Sequence, residues 1–370
     1  MAINNKKHHL PFGSLWKMKI DHPYSLLVQE GGVAWSCGQC PLDANGQVAH
    51  EDDLIAQTHH VVQSIRKILD SSEMRSPMAA KLVVYYVEKF PDLFQEMMFL
   101  LKQAFGEKCI IVPVPVPYFY YSGMLIEIDI YAAEAETFSR SAVVEKNGLK
   151  IEVMDFDQLV WVKLSAAAGY QRGEDCVRIL NEVLEDFDLT TNEFLSDHWF
   201  SHQDAPPCLL AAFSTHGFVS DLGAVALTQL PESTAVIGEL TFVRRSSAQA
   251  RSVSTSHRVG NSVLTLRQKG EFFWANVRFE KSGLTLPEQT RKAMIVLNNV
   301  LLAHGLSFDQ VCKVTTHYVG DSTPSDLHEN MTVRNAYFSA PGPASTGLPV
   351  DALQGVDSLI SIDVFGRIAS

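Results

Sequence analysis

Lys81-Leu-Val-Val-Tyr-Tyr-Val87 and Lys313-Val-Thr-Thr-His-Tyr-Val319 are two writings of one strand, 232 residues apart, and the organisation of the chain follows from that pair. The same spacing relates Gln57-Thr58 to Gln289-Thr290, each inside a run with helical periodicity. Toward the ends, Leu125-Ile-Glu-Ile-Asp-Ile130 matches Leu359-Ile-Ser-Ile-Asp-Val364 at a spacing of 234. The segment between them joins at half the distance: Asn181-Glu-Val-Leu184 and Leu189-Thr190 match Asn298-Asn-Val-Leu301 and Leu306-Ser307, 117 residues on. A unit of about 120 residues is too long for a solenoid repeat, so the expectation is one domain used three times. Three like domains in one chain imply a trimer built intramolecularly around a pseudo-threefold axis.

Each copy shows the same succession of apolar patterns. In the first, runs at 24–29 and 33–37 flank Gly31-Gly32 as a hairpin. Leu54, Thr58, Val61, Val62, Ile65 and Leu69 then trace one face of a helix. A strand at 80–87, a helix at 91–105 and strands at 110–116 and 124–132 complete it. The third copy repeats this with strands at 261–267, 271–277, 311–319, 346–350 and 358–365 and helices at 287–304 and 325–338. The second has strands at 149–154, 158–165 and 194–200, paired strands at 222–229 and 235–243, and helices at 173–187 and 205–213. The fold class is therefore α+β. Domains are expected at 1–137, 138–248 and 249–370, with the polar stretches 134–148 and 245–256 as linkers.

Composition narrows the function classes. The chain has 370 residues, 46% hydrophobic and 19% charged, which is globular and more than one core. Its net charge of −12 argues against a nucleic-acid partner, whose phosphates need clustered Lys and Arg. No apolar run reaches the roughly 18 residues of a membrane span, and the start lacks the apolar core of a secretory leader. Six scattered cysteines do not form a disulfide framework, so a cytoplasmic location is expected. Cys37-Gly-Gln-Cys40 spells a redox spacing but ends a strand rather than opening a helix, so Cys40 reads as a pocket-wall thiol. His59 and His60 are adjacent on a helix and face apart. His198 and His202 have i, i+4 spacing on a strand with no third ligand, and His8-His9 read as a mobile terminus. No metal site and no cofactor are expected.

Pro23-Tyr24-Ser25, Val33-Ala-Trp-Ser-Cys-Gly-Gln39, Pro41-Leu-Asp43 and Gln57-Thr58 resemble the opening motif of the Rid/YjgF reactive-intermediate deaminases, and Leu125-Ile-Glu-Ile-Asp129 resembles their closing strand. Arg334-Asn-Ala-Tyr-Phe338 with Pro343-Ala-Ser-Thr346 is similar to their helix end and Pro-Ala-Arg-Thr loop. The resemblance covers 1–135 and 255–370, and the middle copy is recognised through its neighbours. It implies a trimeric fold with pockets in the clefts between subunits, here three unequal clefts within one chain, either monomeric or as a homodimer of such chains. It also implies hydrolysis of an enamine or imine to a keto acid and ammonia on a small-molecule substrate. An Arg would fork onto a carboxylate, an acid would move protons, and a Tyr would close the pocket.

Carried over by residue, the resemblance makes Tyr24 and Glu127 catalytic. It makes Gly38, Gln39, Cys40, Arg334, Ser345 and Thr346 substrate-binding. A Glu buried in that apolar strand would have a raised pKa suited to proton transfer. The family Arg is missing: the first copy reads Val112-Pro-Val-Pro-Val-Pro117, and the third has Ser345 in its place. Ser361 stands opposite Glu127 in the repeat, Glu239 is the acid of the middle copy, and Met98 and Met331 occupy the family's Asn position. Arg334, beside the loop, is the candidate replacement cation. Two other readings stay open: a binding protein that kept the pocket and lost the chemistry, and a vinyl-ether hydrolase of the chorismatase type, built from fused domains of this kind.

Overall fold

The structure, a computed structural model, describes residues 6–13, 15–89, 91–169, 172–231, 234–244, 252–280, 283–320 and 323–368. The first repeat runs β1 (His8–Pro11), β2 (Ser25–Glu30), β3 (Val33–Ser36), α1 (Leu54–Asp70), β4 (Pro77–Tyr86), α2 (Phe94–Phe105), β5 (Ile110–Pro115) and β6 (Ile126–Glu134). The second runs β7 (Phe138–Lys146), β8 (Leu149–Phe156), β9 (Leu159–Ala167), α3 (Gly173–Asp186), β10 (Phe194–Ser201), α4 (Pro207–Thr215), β11 (Ala226–Leu227) and β12 (Thr234–Val243). The third runs β13 (Ser252–Val259), β14 (Ser262–Lys269), β15 (Phe272–Phe279), α5 (Leu286–Ala303), β16 (Val311–Tyr318), α6 (Pro324–Asn335), β17 (Ala344–Pro349), β18 (Ala352–Leu353) and β19 (Ile360–Arg367). The order of elements is the same three times apart from the added β18 of the third, and the α+β reading holds.

Both faces of the central strands are covered, which is why those strands read as nearly continuous apolar runs. Along β4, Leu82, Val84 and Tyr86 pack on Val61, Ile65 and Ile68 of α1. The alternate residues Val83 and Tyr85 enter a central core with Trp35, Trp161 and Trp274. The repeated Gln-Thr pair now has a physical reason. Gln57 donates from Nε2 to Gly123 O at 2.7 Å and accepts from Leu125 N at 2.8 Å, tying α1 to the start of β6. Gln289 accepts from Leu359 N at 2.9 Å and does the same for α5 and β19.

The repeats join through their strands. Ala344 of β17 pairs with Ser25 of β2, merging the first and third repeats into a 12-stranded sheet. β18 pairs with β11 and draws the third repeat onto the 7-stranded sheet of the second.

Each central strand carries a bulge at its start, between Ala79 and Lys81, Phe194 and Ser196, and Val311 and Lys313. The bulge gives an unambiguous register for all three copies. Lys81, Ser196 and Lys313 are equivalent, and Tyr131, Thr241 and Phe365 lie opposite them. Trp35, Trp161 and Trp274 complete the row.

Two residues earlier on the closing strands stand Asp129, Glu239 and Asp363. Each reaches into the next repeat: Lys81 Nζ is 2.6 Å from Glu239, Lys313 Nζ is 2.9 Å from Asp129, and His198 Nε2 is 3.3 Å from Asp363. These pairs link first to second, third to first and second to third, a closed ring around the axis. Tyr85, Phe200 and His317 form the aromatic layer beside it. Burial and the neighbouring His198 push the His317 imidazole down to about 4. Burial also pulls on His198, but Asp363 and Glu239 lift it above its ordinary value.

Several sequence expectations are corrected here. The stretch 134–148 is no linker, because Phe138–Lys146 forms β7 against β8. The part of 245–256 from 252 onward belongs to β13, paired with β14, while 245–251 lies outside the described residues. Glu239 is equivalent to Asp129, not to Glu127, whose counterparts are Ile237 and Ser361. The span 222–229 does not pair with β12: it forms a turn of 3-10 helix and the short β11, which pairs with β10. His8 and His9 belong to β1, and His9 Nδ1 lies 3.1 Å from Ser25 Oγ.

Candidate functional site

A cavity opens between the first and third repeats, with about 630 Å³ of free space including its mouth. Tyr24, Gly38, Cys40, Glu127, Arg334 and Ser345 all line it. Gln39 and Thr346 do not. Gln39 is fully buried behind the wall, accepting from Trp16 Nε1 at 3.0 Å and donating to Cys37 O at 2.9 Å. Thr346 belongs to the axial ring, accepting from Lys313 Nζ at 2.6 Å and donating to Asp129 at 2.5 Å.

β6 delivers Glu127 to one end of the cavity. The side chain keeps part of its surface toward the open space although protein encloses it on the other sides. Burial, and then the neighbouring Asp129, raise its carboxyl to about 8, against the opposing pull of Lys313 and the Cys40 thiol. It is therefore protonated at neutral pH. Burial and the same Glu127 hold the Cys40 thiol well above its usual range, so it is no thiolate nucleophile.

Gly38 makes the placement of Glu127 possible. A Cβ on Gly38 would fall 1.6 Å from Glu127 Oε1 and 2.4 Å from its carboxyl carbon. The obstructed atoms are the movable end of a side chain, so Gly38→Ala is expected to leave the fold intact and swing the carboxyl aside. Released from its enclosed position, the carboxyl should titrate closer to its ordinary value. Carboxyl titration followed by NMR, with melting temperature measured alongside, checks this: a lowered Glu127 pKa with little change in melting temperature is the expected result.

The cavity also carries a cation. Arg334, in the last turn of α6, is only 1% exposed. Its Nε donates to Asn330 Oδ1 at 2.6 Å and its Nη1 to Ser345 Oγ at 3.2 Å. Nη2 fits because position 347 is glycine, where a Cβ would come within 2.9 Å. Among the described residues no carboxylate pairs with this guanidinium; burial lowers its pKa, and the Tyr24 and Tyr318 hydroxyls work the other way. Thus the cation enters from a helix and stands beside the hydroxyl of Ser345. The Tyr24 hydroxyl, raised by burial, lies near Arg334 and Ser345 yet makes no hydrogen bond of good geometry.

Sequence reasoning missed the apolar walls. Tyr118-Phe-Tyr-Tyr121, a run of four aromatics after β5, supplies Phe119, Tyr120 and Tyr121, and Trp16 and Met331 line the same cavity. The density of aromatics in an irregular loop was the available signal. His198 and His202 go to separate partners, Asp363 and Gln229. Among the described residues no group of three or more His, Cys, Asp or Glu could hold a metal ion, and no helix is long and apolar enough to cross a membrane.

The other clefts differ. Between the second and third repeats a smaller cavity, with about 340 Å³ of free space including its mouth, is lined by Asp197, His198, Asp221, Asn276, His317 and Asp363. No Lys or Arg is among its described lining residues, since Arg278 is clamped on Asp221 at 2.6 and 2.9 Å and Arg267 on Asp197 at 3.1 Å beside it.

Residues 17–134 match the family model described as endoribonuclease L-PSP. No curated protein matches the chain. Among solved structures the chain is similar to a chorismatase, with 12% identity, 80% of this chain and 95% of that one covered, and a TM-score of 0.48. It is also similar to a YjgF-family member from Mycobacterium tuberculosis, with 20% identity, 35% of this chain and 99% of that one covered, and a TM-score of 0.28. A Yersinia pestis protein of the Rid family, of unknown function, shares 19% identity over 35% of this chain and 99% of its own, with a TM-score of 0.30. The family match thus falls on the first repeat, and the α+β succession of elements seen there recurs in the two repeats that follow.

Proposed function

We propose that the chain is a hydrolase of a small imine or enamine bearing a carboxylate, working in the cavity between the first and third repeats. One observation carries the reading: a buried guanidinium without a carboxylate partner faces the same space as a carboxyl held protonated. An uncompensated buried charge calls for an anionic ligand, and a carboxyl near 8 is matched to proton transfer at neutral pH.

In this reading Arg334 and the free Tyr24 hydroxyl hold the substrate carboxylate. Glu127 protonates the enamine carbon, giving the imine. Its carboxylate then takes a proton from water as the oxygen adds to the C=N carbon. The proton returns to nitrogen, the C–N bond breaks as the carbinol hydroxyl gives its proton back to the Glu127 carboxylate, and ammonia and the keto acid leave with the acid restored. Apolar walls keep other water from competing with the aligned one. Ser361 and Ile237 at the equivalent positions cannot move a proton in this way, so one cleft works per chain.

The test is ammonia release from imines generated in situ. Arg334→Ala is expected to raise KM about 10- to 100-fold, the worth of a charge-assisted hydrogen bond or two. Arg334→Lys restores only part, because an ammonium cannot form the fork. Background rates for every imine with the unaltered protein would sink the hydrolase reading and leave a binding protein.

A further inference from the structure

The cavity says more about the substrate than its charge, on the reading just given that this cavity is the working site. We infer that the substrate carries a single carboxylate on a large, flat apolar body, as in the 2-imino acid of an aromatic amino acid, and that three-carbon imino acids are poor ligands.

The charge count comes first. Arg334 is the only Lys or Arg among the described residues that line the cavity, and Glu127 in the same lining is protonated near neutrality. One anionic group is compensated; a second would be buried without a partner, a penalty that weakens binding by several powers of ten. Dicarboxylates and phosphates are therefore disfavoured.

The walls decide the rest. Beside Arg334 and Glu127 the lining includes Trp16, Phe119, Tyr121, Met124 and Met331, all of them buried. Trp16 is held rigidly: its Nε1 donates to Gln39, and its ring meets Phe12 edge-on at 4.8 Å and 85°. Tyr121 is fixed from outside the cavity, its hydroxyl accepting from Lys19 N at 2.9 Å. The pinned rings of Trp16 and Tyr121 give the wall fixed aromatic faces, while the methionines adjust to whatever aromatic edge packs on them. A three-carbon acid anchored at Arg334 would leave this apolar surface in contact with trapped water. An aryl group covers it and gains the corresponding burial energy.

The experiment separates binding from turnover. Phenylpyruvate, indolepyruvate and pyruvate, as unreactive keto-acid products, are titrated into the intact protein by calorimetry. In parallel, ammonia release is followed from the imines of phenylalanine and alanine made in situ by an amino-acid oxidase. The expected result is at least tenfold tighter binding of the aryl keto acids than of pyruvate, weakened by Arg334→Ala, with kcat/KM in the same order. Equal affinity for pyruvate and phenylpyruvate, with normal release from the alanine imine, overturns the substrate class and leaves the hydrolase reading standing. Tight phenylpyruvate binding without ammonia release from any imine overturns the hydrolase reading and keeps the ligand class. Failure of all three acids to bind removes both.

Discussion

Replacing Glu127 by Gln is expected to lower turnover by about 10²- to 10⁴-fold and, at the same time, to make the ligand-free protein more stable above neutral pH. The first effect follows from removing the proton donor while keeping its shape. The second follows from linkage. The folded carboxyl titrates near 8 and its ordinary value is 4.5. Its pKa is raised by folding, so its favourable contribution is complete below 4.5 and is lost as pH climbs through 8. Between those values the unfolded chain ionises and the folded one does not. At pH 7 this amounts to roughly 3 kcal/mol as an upper figure, since a tenfold difference in proton affinity is worth about 1.4 kcal/mol and the group keeps some access to solvent. Gln has no charge to lose, so the variant escapes that penalty. Denaturant unfolding at pH 5, 6, 7 and 8 checks it: the gap between variant and parent should widen as pH rises. A constant gap would mean that Glu127 titrates normally in the fold, and its role as the acid would fall with it.

The fold was legible because the copies share residues that do the same physical job. Gln57 and Gln289 recur because each ties a helix to a closing strand by side-chain hydrogen bonds. Lys81 and Lys313 recur because each crosses to an acid in another repeat. The middle copy is harder to read because Ser196 takes the Lys position and His198, two residues on, meets Asp363 instead. The row of Trp35, Trp161 and Trp274 marks that copy, but only the strand register reveals it.

Other features are hidden for identifiable reasons. β7 and β13 resemble linkers in sequence because each is an edge strand with many exposed residues, so polar side chains dominate them. Arg334 can be named as the replacement cation from its place beside the Pro-Ala-Ser-Thr loop. Its burial cannot be read, because the last turn of α6 mixes polar and apolar residues on every face. Glu239 aligns with the wrong acid in sequence because residue spacing alone does not register a bulge.

The ring of ion pairs gives the other large expected effect, since it lies at the axis where all three repeats meet. Lys313→Met strips Asp129 of its cation, and both groups are almost wholly inaccessible. Thr346 alone cannot neutralise the carboxylate that remains. Removing one partner of a buried pair costs about 3–5 kcal/mol, most of it the uncompensated charge. The double variant Lys313→Met/Asp129→Asn should therefore recover most of that loss, and a double-mutant cycle measures the coupling.

The same substitutions reach the candidate acid from behind. Lys313 lowers the Glu127 pKa and Asp129 raises it. In a pH–rate profile Lys313→Met should move the limb assigned to Glu127 to higher pH, and Asp129→Asn should move it lower. A purely structural role for the pair predicts stability losses with an unmoved limb, so opposite shifts would establish that the axis tunes the cavity. The directional order of the ring, first to second, third to first and second to third, also gives each repeat a distinct neighbour. Lys81→Met should then match Lys313→Met in stability loss while leaving the Glu127 limb in place, because Lys81 pairs with Glu239 and is not among the groups that shift Glu127. A limb displaced equally by both lysine variants would show a general loosening of the axis and would refute the specific coupling of Lys313 and Asp129 to Glu127.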